Sequence, residues 1–162
     1  MATVGDRRVL LAGDAERESQ AAMLAADVDL HADVLKVPHH GGDTSLDAFL
    51  AEHAGRLTGP VLSLCEGEGR NGVFLATLGL DVLGVDGSPV GLAKAQKLAA
   101  ARGVRIRTQV ADLASYTPPA NTFGAVISIF AHLPSALRRR VYPLVEAALM
   151  PSGILLLEHY SP

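Results

Sequence analysis

A glycine-rich loop is the first feature of the sequence that could bind a ligand. Gly67, Gly69 and Gly72 follow the apolar run VLSL with the spacing G-x-G-x-x-G, and the pattern VFLATLGL after them predicts a helix. A strand that leads through such a loop into a helix presents backbone N–H groups to a nucleotide-like ligand. The spacing alone is a weak signal, and plain turn glycines are the alternative interpretation.

Two carboxylates strengthen the ligand-binding interpretation, because each of them ends another strand-like run. Asp86 ends the run DVLGVD, and Asp112 ends the run VRIRTQVAD. Ligands of open α/β sheets bind at the carboxyl ends of the strands, so both side chains are expected near the glycine loop. The alternatives are that Asp86 only starts the helix that follows it, and that Asp112 is a solvated strand end.

The charge of the loop favours one class of nucleotide ligand over another. A dinucleotide would place its pyrophosphate beside Glu66 and Glu68, although Asp86 lies at a distance that suits its ribose. Like charges a few ångströms apart in a partly desolvated crevice cost on the order of several kcal/mol. S-adenosylmethionine has a sulfonium, an ammonium and a ribose diol but no phosphate, so acidic residues suit it. An acid such as Asp112 can also accept a hydrogen bond from its adenine amino group.

Alternating strands and helices must position these groups. The order predicts a doubly wound α/β fold with a mostly parallel sheet and helices on both faces. The clearest helix is SPVGLAKAQKLAAARG, in which Ser88 is the N-cap, Pro89 the first helical residue and Gly103 the stop. In the later helix SALRRRVYPLVEAAL, Pro143 predicts a kink or a break, and its arginines are interpreted as a solvated face.

Composition limits the compartment and the partners. The chain has 162 residues and a net charge of -3, which gives no reason to expect a nucleic-acid or membrane partner. Cys65 is the only cysteine, so an internal disulfide is impossible and a reducing compartment fits. No apolar run reaches membrane-spanning length, and the N-terminus lacks the layout of a signal peptide. A cytoplasmic protein is therefore expected.

Residues 58–162 resemble the class I S-adenosylmethionine-dependent methyltransferases, in particular the small bacterial tellurite-resistance and thiopurine groups. The matching pieces are LCEGEGRNGVFLA, DVLGVDGSPVGLAKAQ, TQVADL, SIFAHLP and SGILLLE, in the family's order. The resemblance implies an S-adenosylmethionine-binding domain over this range, with a Rossmann-like fold. It also implies methyl transfer to a small-molecule acceptor, such as a soft thiol-like or metalloid compound.

The same resemblance assigns roles to individual residues. The cofactor-binding residues that it implies lie in the loop and at the two strand ends: Glu66, Gly67, Gly69, Asp86, Gly87, Asp112 and Leu113. Gly67 and Gly69 would approach the methionine part, Asp86 would bind the ribose hydroxyls, and Asp112 the adenine amino group. The segment 129–132 would line the methyl-transfer site. His132 is then the candidate catalytic base where the acceptor must lose a proton, or else a cap of the next helix.

The sequence departs from this family at several positions. Ser63 stands where the family has an acid in the first strand, and Cys65 stands where it has a first glycine. Glu66 is the candidate to compensate for the missing acid. The family has two further strands after the one that ends near Tyr160, so a C-terminally truncated methyltransferase fold is expected. An exposed sheet edge could then support oligomerisation.

Residues 1–57 form a separate predicted unit, with the order strand, helix, strand, helix. The pieces VLLAGDAERESQ and ADVLKVPHHGGDTS resemble the C-terminal part of the metallo-β-lactamase-like domain of competence-type DNA-uptake proteins. The resemblance matches Asp14 and one of His39 and His40 to metal ligands. The family's main His-x-His-x-Asp-His cluster is absent from this chain, so no metal site is expected. Instead, this segment could cover the sheet edge left by the missing strands.

The function expected from the sequence is therefore methyl transfer from S-adenosylmethionine to a small molecule. The only cysteine lies near the first strand of the second segment, which leaves no obvious nucleophile for cytosine C5 methylation. No Pro-Pro-Tyr motif follows the fourth strand, which argues against methylation of DNA amino groups. The alternatives are a metal-dependent hydrolase with an incomplete site and a fusion that binds S-adenosylmethionine without turnover.

Overall fold

The computed structural model describes residues 2–4, 7–11, 34–37, 50, 52–131 and 133–158. Its strands are β1 (Ala2–Val4), β2 (Arg7–Leu11), β3 (Val34–Val37), β4 (Val61–Leu64), β5 (Val82–Asp86), β6 (Arg107–Val110), β7 (Phe123–Ile129) and β8 (Leu149–Glu158). Its longer helices are α1 (Arg70–Thr77), α2 (Pro89–Ala101) and α3 (Ser135–Ala148). None of the helices in this described part is long and apolar enough to cross a membrane.

The strands form one sheet in the order β1-β2-β3-β8-β7-β4-β5-β6. Every neighbouring pair is parallel except β1 and β2. From β4 the chain builds β5 and β6 on one side, and then returns to place β7 and β8 on the other. The direction of winding therefore reverses between β4 and β7, which is the point where open α/β sheets bind ligands. The expected mostly parallel α/β fold is confirmed.

Hydrophobic clusters on the two faces of the sheet hold the helices. The central strands β4 and β7 are buried along their whole length, as expected for parallel strands that are covered on both faces. One cluster joins Val61 and Ile127 to Leu75 of α1. The other joins Leu62 and Val126 to Val145 of α3. Neighbouring residues of one strand thus belong to opposite faces, and both faces are covered.

The predicted ends of α2 are confirmed. The Ser88 hydroxyl accepts a hydrogen bond of 3.0 Å from the backbone N–H of Gly91, and Pro89 is the first helical residue. Gly103 follows the helix with a φ of 70°, in the left-handed region that favours glycine. In contrast, α3 continues through the exposed Pro143, so the predicted break does not occur.

The first segment adds strands to the edge of the sheet. β2 and β3 lie within the two strands predicted for residues 1–57, whereas β1 was not predicted. The run Val34–Val37 of β3 pairs in parallel with the last four residues of β8. This pairing agrees with the hypothesis that the segment covers an edge of the methyltransferase-like sheet. Asp14, His39, His40 and the first predicted helix of the segment lie outside the described residues, whereas Leu50 and residues 52–54 of the second predicted helix are helical.

Candidate functional site

Two strained residues mark the point where the sheet reverses its winding. Cys65 follows β4 with a φ of 54°, and Phe130 follows the neighbouring strand β7 with a φ of 52°. Residues with side chains rarely adopt this region, and such outliers cluster at ligand-binding sites. The position of Cys65 is the one where the family resemblance implies a glycine. The backbone conformation explains that preference.

The glycine loop is held between β4, α1 and α2. Gly67 and Gly69 have positive φ values of 58° and 95°. A Cβ atom on Gly69 would lie 2.7 Å from the Cα atom of Ala95 in α2, so only glycine fits this close approach. Gly67, by comparison, has no atom within 4 Å of an added Cβ. The open side of the loop is therefore at Gly67, where a ligand can approach the backbone.

The Asp86 carboxylate connects the end of β5 to the glycine loop. Its Oδ2 atom accepts a hydrogen bond of 2.9 Å from the N–H of Gly67, and its Oδ1 atom accepts one of 2.7 Å from the N–H of Ser88. A carboxylate has about four acceptor positions, so about two are left for further donors. The remaining acceptor positions therefore fit the two hydroxyl donors of a vicinal diol. The exposed Gly87 follows and adds no side chain beside this carboxylate.

Asp112 lies in a turn just beyond β6, rather than within the strand as the sequence suggested. Its Oδ1 atom accepts a hydrogen bond of 2.8 Å from the N–H of Ala114, and its side chain is exposed. The next residue, Leu113, is buried in the core on the α3 face. Asp112 and Asp86 therefore lie at the carboxyl ends of adjacent strands, as predicted.

Arg140 holds the turn after β6 in place. Its Nη1 atom donates hydrogen bonds of 3.1 Å to the carbonyl oxygens of Leu113 and Tyr116. Arg138 donates in the same way to the carbonyl oxygen of Leu133, which follows β7. The interpretation of these arginines as a solvated face is therefore wrong for both, although it holds for the exposed Arg139.

The Glu66 carboxyl is buried beneath the loop. Its exposed fraction is 4%, and its Oε1 atom accepts a hydrogen bond of 2.9 Å from the N–H of Gly72. The missing side chains of Gly72 and Gly84 make room for it, since a Cβ on Gly84 would lie 2.7 Å from its Cγ atom. Its Oε2 atom has no hydrogen-bond partner. Burial raises the pKa of Glu66 to about 7, and the neighbouring Ser63 hydroxyl and the hydrogen bond from Gly72 oppose this.

The other loop glutamate faces solvent. The Glu68 carboxylate pairs with the Lys94 ammonium at 2.6 Å, and both side chains are more than half exposed. The hydrogen bond from Lys94 lowers the pKa of Glu68. The charge argument from the sequence treated Glu66 and Glu68 as two anions facing one ligand. The structure shows one exposed, paired anion and one buried carboxyl with a raised pKa, so the repulsion of a pyrophosphate is weaker than we expected.

A further acid was missed by the sequence analysis. Glu158 is the last residue of β8, its exposed fraction is 1%, and neither carboxyl oxygen has a hydrogen-bond partner. Burial raises the pKa of Glu158 to about 7. The only sequence signal for this acid is its place at the end of the apolar run GILLLE. His132 itself lies outside the described residues, and in the predicted lining segment Ile129 is buried while Ala131 is half-buried.

Within the described ranges, no group of three or more His, Cys, Asp or Glu side chains could hold a metal ion. The predicted roles of Glu66, Gly67, Gly69, Asp86, Gly87, Asp112, Leu113 and His132 stay predictions. The geometry places the Asp86 carboxylate against the N–H of Gly67, and it places the Glu66 carboxyl against protein rather than at an open surface.

Comparisons with known proteins agree with this arrangement. Residues 61–153, more than half of the chain, match the family model described as a methyltransferase domain. A sequence search of curated proteins finds no significant match.

Solved structures share the fold. A DhpI complex with SAH has a TM-score of 0.59 and 27% identity, over 70% of this chain and 55% of that chain. An S-adenosylmethionine-dependent methyltransferase from Mesorhizobium loti has a TM-score of 0.58 and 26% identity, over 68% of this chain and 51% of that chain. The TehB-like methyltransferase from Corynebacterium glutamicum has a TM-score of 0.58 over 86% of this chain and 68% of that chain; at 21% identity it supports the fold alone.

This chain thus spans about half the length of the first two structures. The tellurite-resistance or thiopurine subgroup and the metallo-β-lactamase-like origin of residues 1–57 stay predictions. The family match covers β4, the glycine loop, Asp86, Asp112 and β7 in one continuous stretch. The chain belongs to the methyltransferase domain family and has the Rossmann-like fold of its S-adenosylmethionine-dependent members.

Proposed function

We propose that this chain binds S-adenosylmethionine at the carboxyl ends of β4, β5 and β6 and transfers its methyl group to a small molecule. The observation that carries the proposal is the Asp86 carboxylate. It ends β5, accepts the N–H of Gly67 from the loop, and keeps about two acceptor positions for a diol. The family match and the SAH complex of the similar protein DhpI support the same ligand class.

The remaining groups fit the other parts of this ligand. Asp112 uses Oδ1 in its turn, and Oδ2 is available to accept from an amino group on a purine ring. The open backbone at Gly67 suits the close approach of an amino-acid moiety. Arg140 would act as a positioning residue, since it fixes the turn that contains Asp112 and Leu113.

Methyl transfer depends more on the relative positions of the donor and the acceptor than on acid–base groups. Bound S-adenosylmethionine supplies an electrophilic methyl group on a cationic sulfur. The chain would gain rate mainly by holding the acceptor atom in line with that methyl group. His132 is proposed as the base for acceptors that must lose a proton, because it directly follows the half-buried Ala131 at the end of β7.

The acceptor proposal is a small molecule, with thiol-like or metalloid compounds as the first class to test. The net charge of -3 gives no electrostatic support for nucleic acid as the substrate. We also propose that the chain is divided into two units, residues 1–57 and 58–162, and that the protein is cytoplasmic. The exposed strand β6 is the proposed surface for any association between copies.

Calorimetry on the full chain tests the proposal with S-adenosylmethionine, S-adenosylhomocysteine and NAD as ligands. We expect the two adenosyl compounds to bind and NAD not to bind. Asp86→Asn should weaken S-adenosylmethionine binding by about tenfold or more, because one charged acceptor of the diol is lost. Asp81→Asn is the matched control. Asp81 directly precedes β5, at the opposite end of this strand from Asp86, and its carboxylate pairs with Arg107. A preference for NAD, or equal effects of the two substitutions, would contradict the proposal.

A further inference from the structure

Glu158 is the buried acid that the proposed function does not use. Both of its carboxyl oxygens lack a hydrogen-bond partner, and 1% of the residue is exposed. A buried polar group without a partner is costly, so native proteins keep one for a reason such as a ligand or a catalytic task. The position of Glu158 in the sheet indicates which reason applies.

Glu158 lies beside the point where the sheet reverses its winding. Ile129 of β7 pairs with Glu158, and the preceding residue Ser128 pairs with Leu64 of β4. Glu158 is thus level with Cys65, two strands away, at a backbone distance of roughly 10 Å. Asp86 lies one strand away on the opposite side of β4. Asp86 therefore lies within the proposed ligand site, and Glu158 lies on the β7 side of it.

No cation in the described part of the chain neutralises Glu158. β7 contains no ionisable residue, and on β3 the register pairs Val37 with Glu158 and Lys36 with Leu157. The pairing with Ile129 places Glu158 on the sheet face that carries α1. Glu66 packs against Gly84 on the same face, and it is the other buried carboxyl there. Among the side chains that the structure describes, this side of the site therefore carries two buried carboxyl groups.

We propose that Glu158 is the counter-charge for the cationic sulfur of the methyl donor, and that it allows the site to distinguish the donor from its neutral product. This inference rests on the proposed function. In methyl transfer, a lone pair of the acceptor forms the new bond to carbon, and the electron pair of the C–S bond returns to sulfur. The sulfur becomes neutral, so the attraction to Glu158 ends and the product is held less tightly.

The size of the effect follows from distance. If the charges are separated by about the backbone distance between Glu158 and Cys65, roughly 10 Å, two unit charges at an effective dielectric constant near 20 change a binding constant on the order of tenfold. Burial raises the pKa of Glu158 to about 7, and a nearby cation favours the ionised form. Binding of the donor near pH 6 should therefore release protons from Glu158, whereas binding of the product should release fewer.

Calorimetry with S-adenosylmethionine and S-adenosylhomocysteine tests this inference without any acceptor. Titrations at pH 6 and pH 8, in buffers of different ionisation enthalpy, give both the affinities and the protons released. For the wild type we expect a preference for the donor that grows with pH, and proton release at pH 6 with the donor. Glu158→Gln should lower the preference about tenfold and remove its pH dependence, with product affinity unchanged. Glu158→Asp should restore part of the preference.

Two controls separate this charge effect from a structural one. Glu146→Gln makes the same chemical change in the last turn of α3, which leads into the amino end of β8. This substitution should change neither the affinities nor the proton release. Glu66→Gln tests the other buried carboxyl. Equal losses of donor and product affinity in Glu158→Gln, no loss at all, or proton release that disappears only in Glu66→Gln would overturn the inference. Wild-type proton release tests it even if a variant fails to fold.

The outcomes also separate the inference from the proposed function. If the wild type binds both adenosyl compounds equally at both pH values, the role of Glu158 is refuted and the proposed function stands. If the wild type binds neither compound, the proposed function is refuted, and the inference with it.

Discussion

Replacement of the buried Glu66 by glutamine should change the pH dependence of folding stability. Burial raises the pKa of Glu66 from 4.5 to about 7, while the unfolded chain keeps the ordinary value. Between these two pKa values the folded state binds more protons than the unfolded state. The free energy of unfolding must then fall as the pH rises from about 4.5 to about 7 and level off above that. This carboxyl therefore destabilises the fold at neutral and alkaline pH.

The magnitude follows from proton linkage. For one group with these two pKa values, the loss of stability between pH 5 and pH 8 is about 2.5 kcal/mol. Glu66→Gln keeps an oxygen to accept from Gly72, but it buries an amide that lacks a partner for its N–H groups, which costs about 1–3 kcal/mol. That cost is the same at both pH values. The difference between the effects at pH 8 and pH 5 therefore isolates the ionisation of Glu66.

Urea unfolding followed by circular dichroism at pH 5 and pH 8 measures this difference. The effect of Glu66→Gln should be more favourable at pH 8 than at pH 5 by about 2.5 kcal/mol. Glu68→Gln is the matched control two residues away. Its exposed carboxylate has a lowered pKa, so that substitution should not stabilise the chain at pH 8. If Glu66→Gln has the same effect at both pH values, Glu66 is ionised throughout and the reasoning from burial is refuted.

Three shorter predictions concern the loop and its supports. Gly69→Ala should destabilise the chain by about 1–3 kcal/mol more than Gly79→Ala in urea unfolding, because both glycines have similar positive φ values but only the first is crowded by α2. Arg140→Ala should cost about 1–3 kcal/mol and weaken S-adenosylmethionine binding in calorimetry, whereas the exposed Arg139→Ala should do neither. The Cys65 thiol should react with iodoacetamide at pH 8 more slowly than the thiol of free glutathione does, because burial and a neighbouring carboxylate raise the pKa of Cys65. Equal effects within either matched pair, or rapid alkylation of the thiol, would contradict the corresponding prediction.

The features that the sequence predicted well depend on local chemistry. The Ser88 cap, the Gly103 stop after α2 and the position of Asp86 at a strand end each follow from a few neighbouring residues. The mostly parallel sheet also followed, because apolar runs that alternate with helices favour parallel strands joined by crossover connections. Such features need no knowledge of contacts between distant parts of the chain.

The features that the sequence did not predict depend on packing between distant segments. Glu66 is buried because Gly84 lies beside it on β5, which only the pairing of β4 with β5 reveals. Arg140 reaches two carbonyl groups 24 and 27 residues earlier in the chain. The arginine-rich sequence of α3 does not indicate either of these two carbonyl acceptors. A count of charges near a loop therefore cannot tell which of them face a ligand.

The position of each acid along the sheet is more informative than the number of acids in the loop. Glu68 lies two residues from Glu66 in the glycine loop, yet it is paired with Lys94 in solvent. Asp86 and Glu158 are far apart in sequence, yet they lie at the carboxyl ends of β5 and β8, the two strands on either side of β4 and β7. A carboxylate bonded to the loop suits neutral hydroxyl groups, whereas an unpartnered buried carboxyl gains most from a positive charge. If this division is correct, loss of Asp86 weakens donor and product alike, and loss of Glu158 weakens only the donor.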